Sequence, residues 1–98
     1  MTQMIRSFAD TDTQAVFNGL RPRRVPADIL RRAQRKLVQL HTVTRLEDLR
    51  VPPGNRLEAL GGDRAGRYSI RVNQQWRITF CWEGADAHET LIEDYHRG

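Results

Sequence analysis

The stretch that most constrains this chain is residues 66–82, GRYSIRVNQQWRITFCW. Apolar side chains fall at every second position on both sides of NQQ: Tyr68, Ile70 and Val72, then Trp76, Ile78, Phe80 and Trp82. A period of two belongs to extended chain, because successive side chains of a strand point to opposite faces. Two strands joined by a tight connection are therefore expected, with one apolar face for a core. The other face reads Arg67, Ser69 and Arg71, then Arg77, Thr79 and Cys81, a row of cations and small polar groups.

The rest of the chain is arranged around that pair. MIRSF (4–8) alternates and suits an edge strand. In DTDTQAVFNGL, Asp10 or Thr11 caps a short helix in which Phe17 and Leu20 share a face, with Gly19 near its stop. Leu30, Ala33, Leu37 and Leu40 recur at spacings of three and four, predicting a longer helix from Pro26 to about His41. TRLEDL adds a turn, and RVPPGN (50–55) is a loop by its prolines and Gly54. NRLEAL predicts a short strand, GGDRAG (61–66) a glycine turn, EGADA another turn and HETLIEDY a last strand. The expected fold is α+β: a single domain over 1–98, with two N-terminal helices on a four- to five-stranded, mostly antiparallel sheet. One sheet face packs on the long helix, and the other is left open.

Sixteen Lys and Arg stand against twelve Asp and Glu, a net charge of +4. That balance fits a polyanionic partner, nucleic acid above all, or ordinary solvated charge. The single cysteine, Cys81, excludes an internal disulfide and a cysteine-based metal cluster, and it reads as a passive strand residue. His41 and His88 have no ligand companions, so neither a metal nor a cofactor is expected. No apolar run approaches a membrane span and the N-terminus lacks a signal-peptide layout; a cytoplasmic setting is expected.

Aligned strand faces would bring Arg56, Arg67, Arg71 and Arg77 together on the open side, with Glu58 near Arg56. Four guanidiniums repel, so the face holds either scattered cross-strand ion pairs or a concavity for an anion such as phosphate. At the other end EDYH (93–96) supplies Asp94, Tyr95 and His96, three groups able to exchange protons. A carboxylate, an imidazole and arginines are what RNA cleavage needs: a base for the 2′-hydroxyl, an acid for the leaving 5′-oxygen, and cations for the phosphorane charge. A lone histidine at a strand end is more often incidental.

A second basic region lies on the long helix. Arg31 and Arg35, and Arg32 and Lys36, are like-charge pairs at i,i+4, each mildly destabilising to an isolated helix. The repulsion is offset by a phosphate-bearing partner, or the face is simply solvated.

With those residues in view, NRLEALGGDRAGRYSIRVNQQWRITFCW, the IEDYH end and MIRSF together resemble the HigB-like branch of the RelE/ParE toxin superfamily, and within it the Gra-type toxins. The resemblance covers nearly the whole chain from Met4. It implies a type II toxin that enters the ribosomal A site and cuts mRNA there without a metal. It also implies a cognate HigA-like antitoxin with a helix-turn-helix domain, through which alone the toxin reaches operator DNA. The family's catalytic Asp-Tyr-His matches Asp94, Tyr95 and His96, and its strand arginine matches Arg77. The chain departs where better-known members carry a His and a Lys, here Glu58 and Gly61. Glu58 can stand in as a base but supplies no cation, so phosphate stabilisation falls to Arg56, Arg67 and Arg77. Two other modes of toxicity stay open: perturbation of ribosome function or assembly without cleavage, and inhibition of DNA gyrase, which needs no terminal acid–imidazole pair.

Overall fold

In a computed structural model, which describes residues 5–94, the alternating stretch forms the expected pair. Helix α1 runs Thr11–Phe17 and α2 runs Leu30–Thr42. Strands β1 (Glu58–Ala59), β2 (Arg67–Arg71), β3 (Trp76–Glu83) and β4 (Asp86–Asp94) form an antiparallel sheet in chain order. The α+β arrangement, helices first and sheet after, agrees with the sequence reading.

Asp10 caps α1, its carboxylate accepting from the Thr13 backbone N–H at 2.9 Å. The helix ends earlier than the Phe17–Leu20 pairing requires. Gly19 adopts φ +85, which turns the chain away, and Leu20 is left 61% exposed. The second helix starts with a 3₁₀ turn over Ala27–Ile29, and regular α structure begins at Leu30. Its buried stripe, Ala33, Leu37 and Leu40, joins Ile70, Ile78, Phe80 and Ile92 of the sheet in one core. These positions are fully buried, so they supply the main hydrophobic stabilisation.

The strand expected over NRLEAL shrinks to Glu58–Ala59. The cause lies just before it, where Pro53–Asn55 form a 3₁₀ turn and Arg56 takes a left-handed φ of +46, incompatible with extended pairing. Asn55 fixes this loop. It is fully buried, and its Nδ2 donates to Gln39 Oε1 (3.0 Å) and to the carbonyls of Leu49 (3.0 Å) and Val51 (3.3 Å). Lys36 Nζ donates to its Oδ1, tying the loop to α2.

The N-terminal segment is less regular than an edge strand. It lies parallel to β4 through two isolated bridges, Ile5 with Ala87 and Phe8 with Thr90; Met4 lies outside the described residues. The β3–β4 register slips between Thr79 and Cys81, and the extra β4 residue falls at Glu89, whose φ is +52. Among the described residues no helix is long and apolar enough to cross a membrane.

Candidate functional site

The sheet face opposite the core is not open. Ser69 and Thr79 are fully buried and Arg77 is 6% exposed. Register explains the grouping. Arg77 faces Arg71 on one side and Glu93 on the other, and Thr79 faces Ser69 and Leu91. Arg77 Nε donates to Ser69 Oγ at 2.9 Å and its Nη2 to the Arg56 carbonyl at 2.8 Å. Glu58 Oε1 stands 3.7 Å from the same nitrogen and is half exposed. Arg77, Glu58 and the Arg56 backbone are thus brought together, while the Arg56 residue is itself exposed.

Arg67 is partly buried and turned across the sheet. Its Nη2 donates to Thr79 Oγ1 and to the Glu89 carbonyl, both at 2.9 Å, so it also holds the β4 bulge. Two residues absent from the expected site complete the face. Arg64, from the 3₁₀ turn Gly62–Arg64, reaches Glu93 with both terminal nitrogens, at 3.2 and 2.5 Å, and Thr79 Oγ1 donates to the same carboxylate. Burial works to raise the Glu93 pKa, but the hydrogen bonds from Arg64 and Thr79 and the charges of Arg64 and Arg67 outweigh it. The net effect holds Glu93 below the usual carboxylate range. Parity did place Ser69 and Thr79 on the arginine face, and their hydroxyls among guanidiniums were the signal available. Arg64 and Glu93 are 29 residues apart, and no local pattern links them.

Asp94 does not join Arg77. It lies opposite Trp76 in the register, on the other sheet face, exposed, and accepts from Gln75 Nε2 at 3.0 Å. Tyr95 and His96 lie outside the described residues.

Arg71 has a different neighbourhood from its partners. It lines a cleft of about 710 Å³ together with Arg32, Arg35 and Lys36 of α2. Arg31 lies elsewhere, in a second depression with Leu20, Arg21 and Asp28. The basic helix therefore divides its charge between two surfaces. Arg24, also in the basic stretch, is occupied structurally: it bonds Asp10 (2.7 Å), Asp12 (3.2 Å) and the Ile92 carbonyl (2.8 Å).

Small helices ahead of an antiparallel meander, with arginines and carboxylates interlocked on its second face, define a RelE-like toxin fold. The chain matches the family model described as RelE-like toxin of type II toxin-antitoxin system HigB over residues 6–96. It is 41% identical over 75 residues to Toxin HigB-1 of Vibrio cholerae, covering 76% of this chain and 79% of that protein. It is 36% identical over 93 residues to Endoribonuclease HigB of Proteus vulgaris, covering 95% of this chain and all of that one. The chain belongs to the HigB-like family of RelE-like toxins, and a type II toxin implies an antitoxin partner.

Proposed function

We propose that the protein is a ribosome-dependent endoribonuclease that cuts mRNA in the A site and thereby arrests translation and growth. The observation that carries this reading is Arg77. A guanidinium oriented by Ser69 and the Arg56 carbonyl, beside the exposed Glu58 carboxylate, is a preorganised cation next to a proton acceptor. The likeness to a relative named an endoribonuclease supports the same chemistry.

In the reaction a base takes the 2′-hydroxyl proton, and the 2′-oxygen attacks the adjacent phosphorus. The bond to the 5′-oxygen breaks, and an acid protonates that leaving oxygen. Glu58, Tyr95 and His96 are the acid and base candidates at this phosphate, Asp94 lying on the opposite sheet face, and Arg77 stabilises the charge on the phosphorane, aided by Arg67 and Arg56. The basic surface, with its net +4, draws the protein to ribosomal RNA. The antitoxin is a HigA-like helix-turn-helix protein, and operator DNA is reached only through it. The setting is cytoplasmic.

Mapping transcript 5′ ends after brief induction tests the reading. New ends clustered within coding regions are expected from the wild type and not from His96→Gln. Growth arrest without new ends would replace cleavage by ribosome perturbation.

A further inference from the structure

The two groups of cations differ in one respect. On the sheet face opposite the core, Arg64 and Arg77 lie against Glu93 and Glu58, and Arg67 is held by Thr79 and the Glu89 carbonyl. The cleft beside α2 is lined by Arg32, Arg35, Lys36 and Arg71 with Gln39, Asn73 and Gln74, and among the described residues no carboxylate lines it. Arg32, Arg35, Lys36 and Gln39 follow at i, i+3, i+4 and i+7, one stripe extending about 10 Å along the helix. Among the described residues, the side chains of Arg35 and Arg71 make no hydrogen bond or ion pair, while Arg32 and Lys36 bond only neutral oxygens, the Val72 carbonyl and Asn55 Oδ1. Lys36 feels the imbalance. Burial, then the charges of Arg32 and Arg35, hold its pKa below the usual lysine range. Positive charge gathered in a concavity without counter-charge is an anion site.

Position says which anion. Arg71 is the direct register partner of Arg77, and residues so paired have Cα atoms about 5 Å apart. The turn closing the cleft, Asn73–Gln74, runs into Gln75, which holds Asp94. The cleft thus adjoins both the cation assigned to the scissile phosphate and the described end of the EDYH segment. We infer that this cleft holds backbone phosphates of the mRNA strand flanking the cut, with Arg71 handing the strand from Arg77 to Arg35 and Lys36. The inference rests on the reading that the protein cuts RNA and adds where the substrate strand runs. Arg31, which lines the second depression, is outside this cleft.

The test uses the full-length toxin and a single-stranded 2′-O-methyl RNA oligonucleotide, which lacks the attacking hydroxyl and so reports binding without cleavage. The variant is Arg35→Gln/Arg71→Gln, which removes no hydrogen bond among the described residues. Expected is weaker binding, with a log Kd against log salt slope reduced by about 1.4, the scale for two fewer phosphates neutralised on a single strand. Association with ribosomes carrying no mRNA is expected to weaken less than oligonucleotide binding does. Equal affinity and slope for variant and wild type overturn the inference, as does a wild type without salt-dependent affinity for the oligonucleotide. Unchanged oligonucleotide binding with lost ribosome association makes the cleft a ribosomal RNA contact, and lost antitoxin binding in its place makes it a protein interface; both overturn it. Failure of cleavage itself appears separately, as absent 5′ ends with oligonucleotide binding intact.

Discussion

Arg64 clasps Glu93 with both terminal nitrogens, joining the Gly62–Arg64 turn to the strand that leads into Asp94. This contact ties the loop containing Gly61 to the end of β4.

The clasp sets an acid limit on stability. The folded-state pKa of Glu93 is depressed, so its contribution is present above the unfolded value of about 4.3 and is lost as pH falls through the folded one. Glu93→Gln is expected to lower the thermal midpoint at pH 7 and to lose less than the wild type between pH 5 and pH 3. Melting curves across that range check it. Parallel acid limbs in the two proteins would contradict the assignment.

Arg77 carries both a structural and a catalytic expectation. Truncation to alanine removes the donor to the Arg56 carbonyl and strands the buried Ser69 hydroxyl, at a cost on the order of 1–3 kcal/mol. Cleavage by Arg77→Ala in a purified ribosome assay is expected to fall roughly 10²–10³-fold, the scale of one lost electrostatic stabiliser. Comparison at a temperature where the variant is folded separates the two effects. Wild-type cleavage there would remove Arg77 from the chemistry.

His96→Gln is expected to abolish growth inhibition without altering the melting temperature, since the family resemblance assigns His96 to proton transfer. A folded variant that still arrests growth would exclude that role.

Asn55→Ala is expected to loosen the loop before β1 without touching the hydrophobic stripe. It removes the donor shared by Gln39, Leu49 and Val51, and a buried acceptor left unpaired costs on the order of 1–3 kcal/mol. Chemical denaturation measures the loss, and a midpoint within error of the wild type would refute it.

Asp10 separates two contributions at the start of α1. Asp10→Asn keeps a capping oxygen for Thr13 and loses the ion pair to Arg24, whereas Asp10→Ala loses both. A loss of about 0.5–2 kcal/mol is expected for alanine, mostly from the cap, because ion pairs this exposed contribute at most about 1 kcal/mol. An asparagine variant as unstable as alanine would reverse that apportionment.

The sequence by itself determined the two helices, the β2–β3 pair and the family, though not the bounds of the first strands. Period-two alternation across residues 68–82 is sufficient for the β2–β3 pair, and Ala33, Leu37 and Leu40 for the core face of α2, because each pattern is a local geometric repeat. Sequence parity also put Arg77, Thr79 and Ser69 on one face, and the GDRAGRYSIRVNQQWRITF and EDYH stretches carried the resemblance. Tertiary structure alone decided which cations are neutralised. Arg64 meets Glu93 across 29 residues, Arg24 meets the Ile92 carbonyl across 68, and Arg71, though paired with Arg77, joins Arg32, Arg35 and Lys36 in the cleft. A residue's face follows from alternation within its own strand. Its charge environment follows from which distant segments fold against that face, and no local period encodes that.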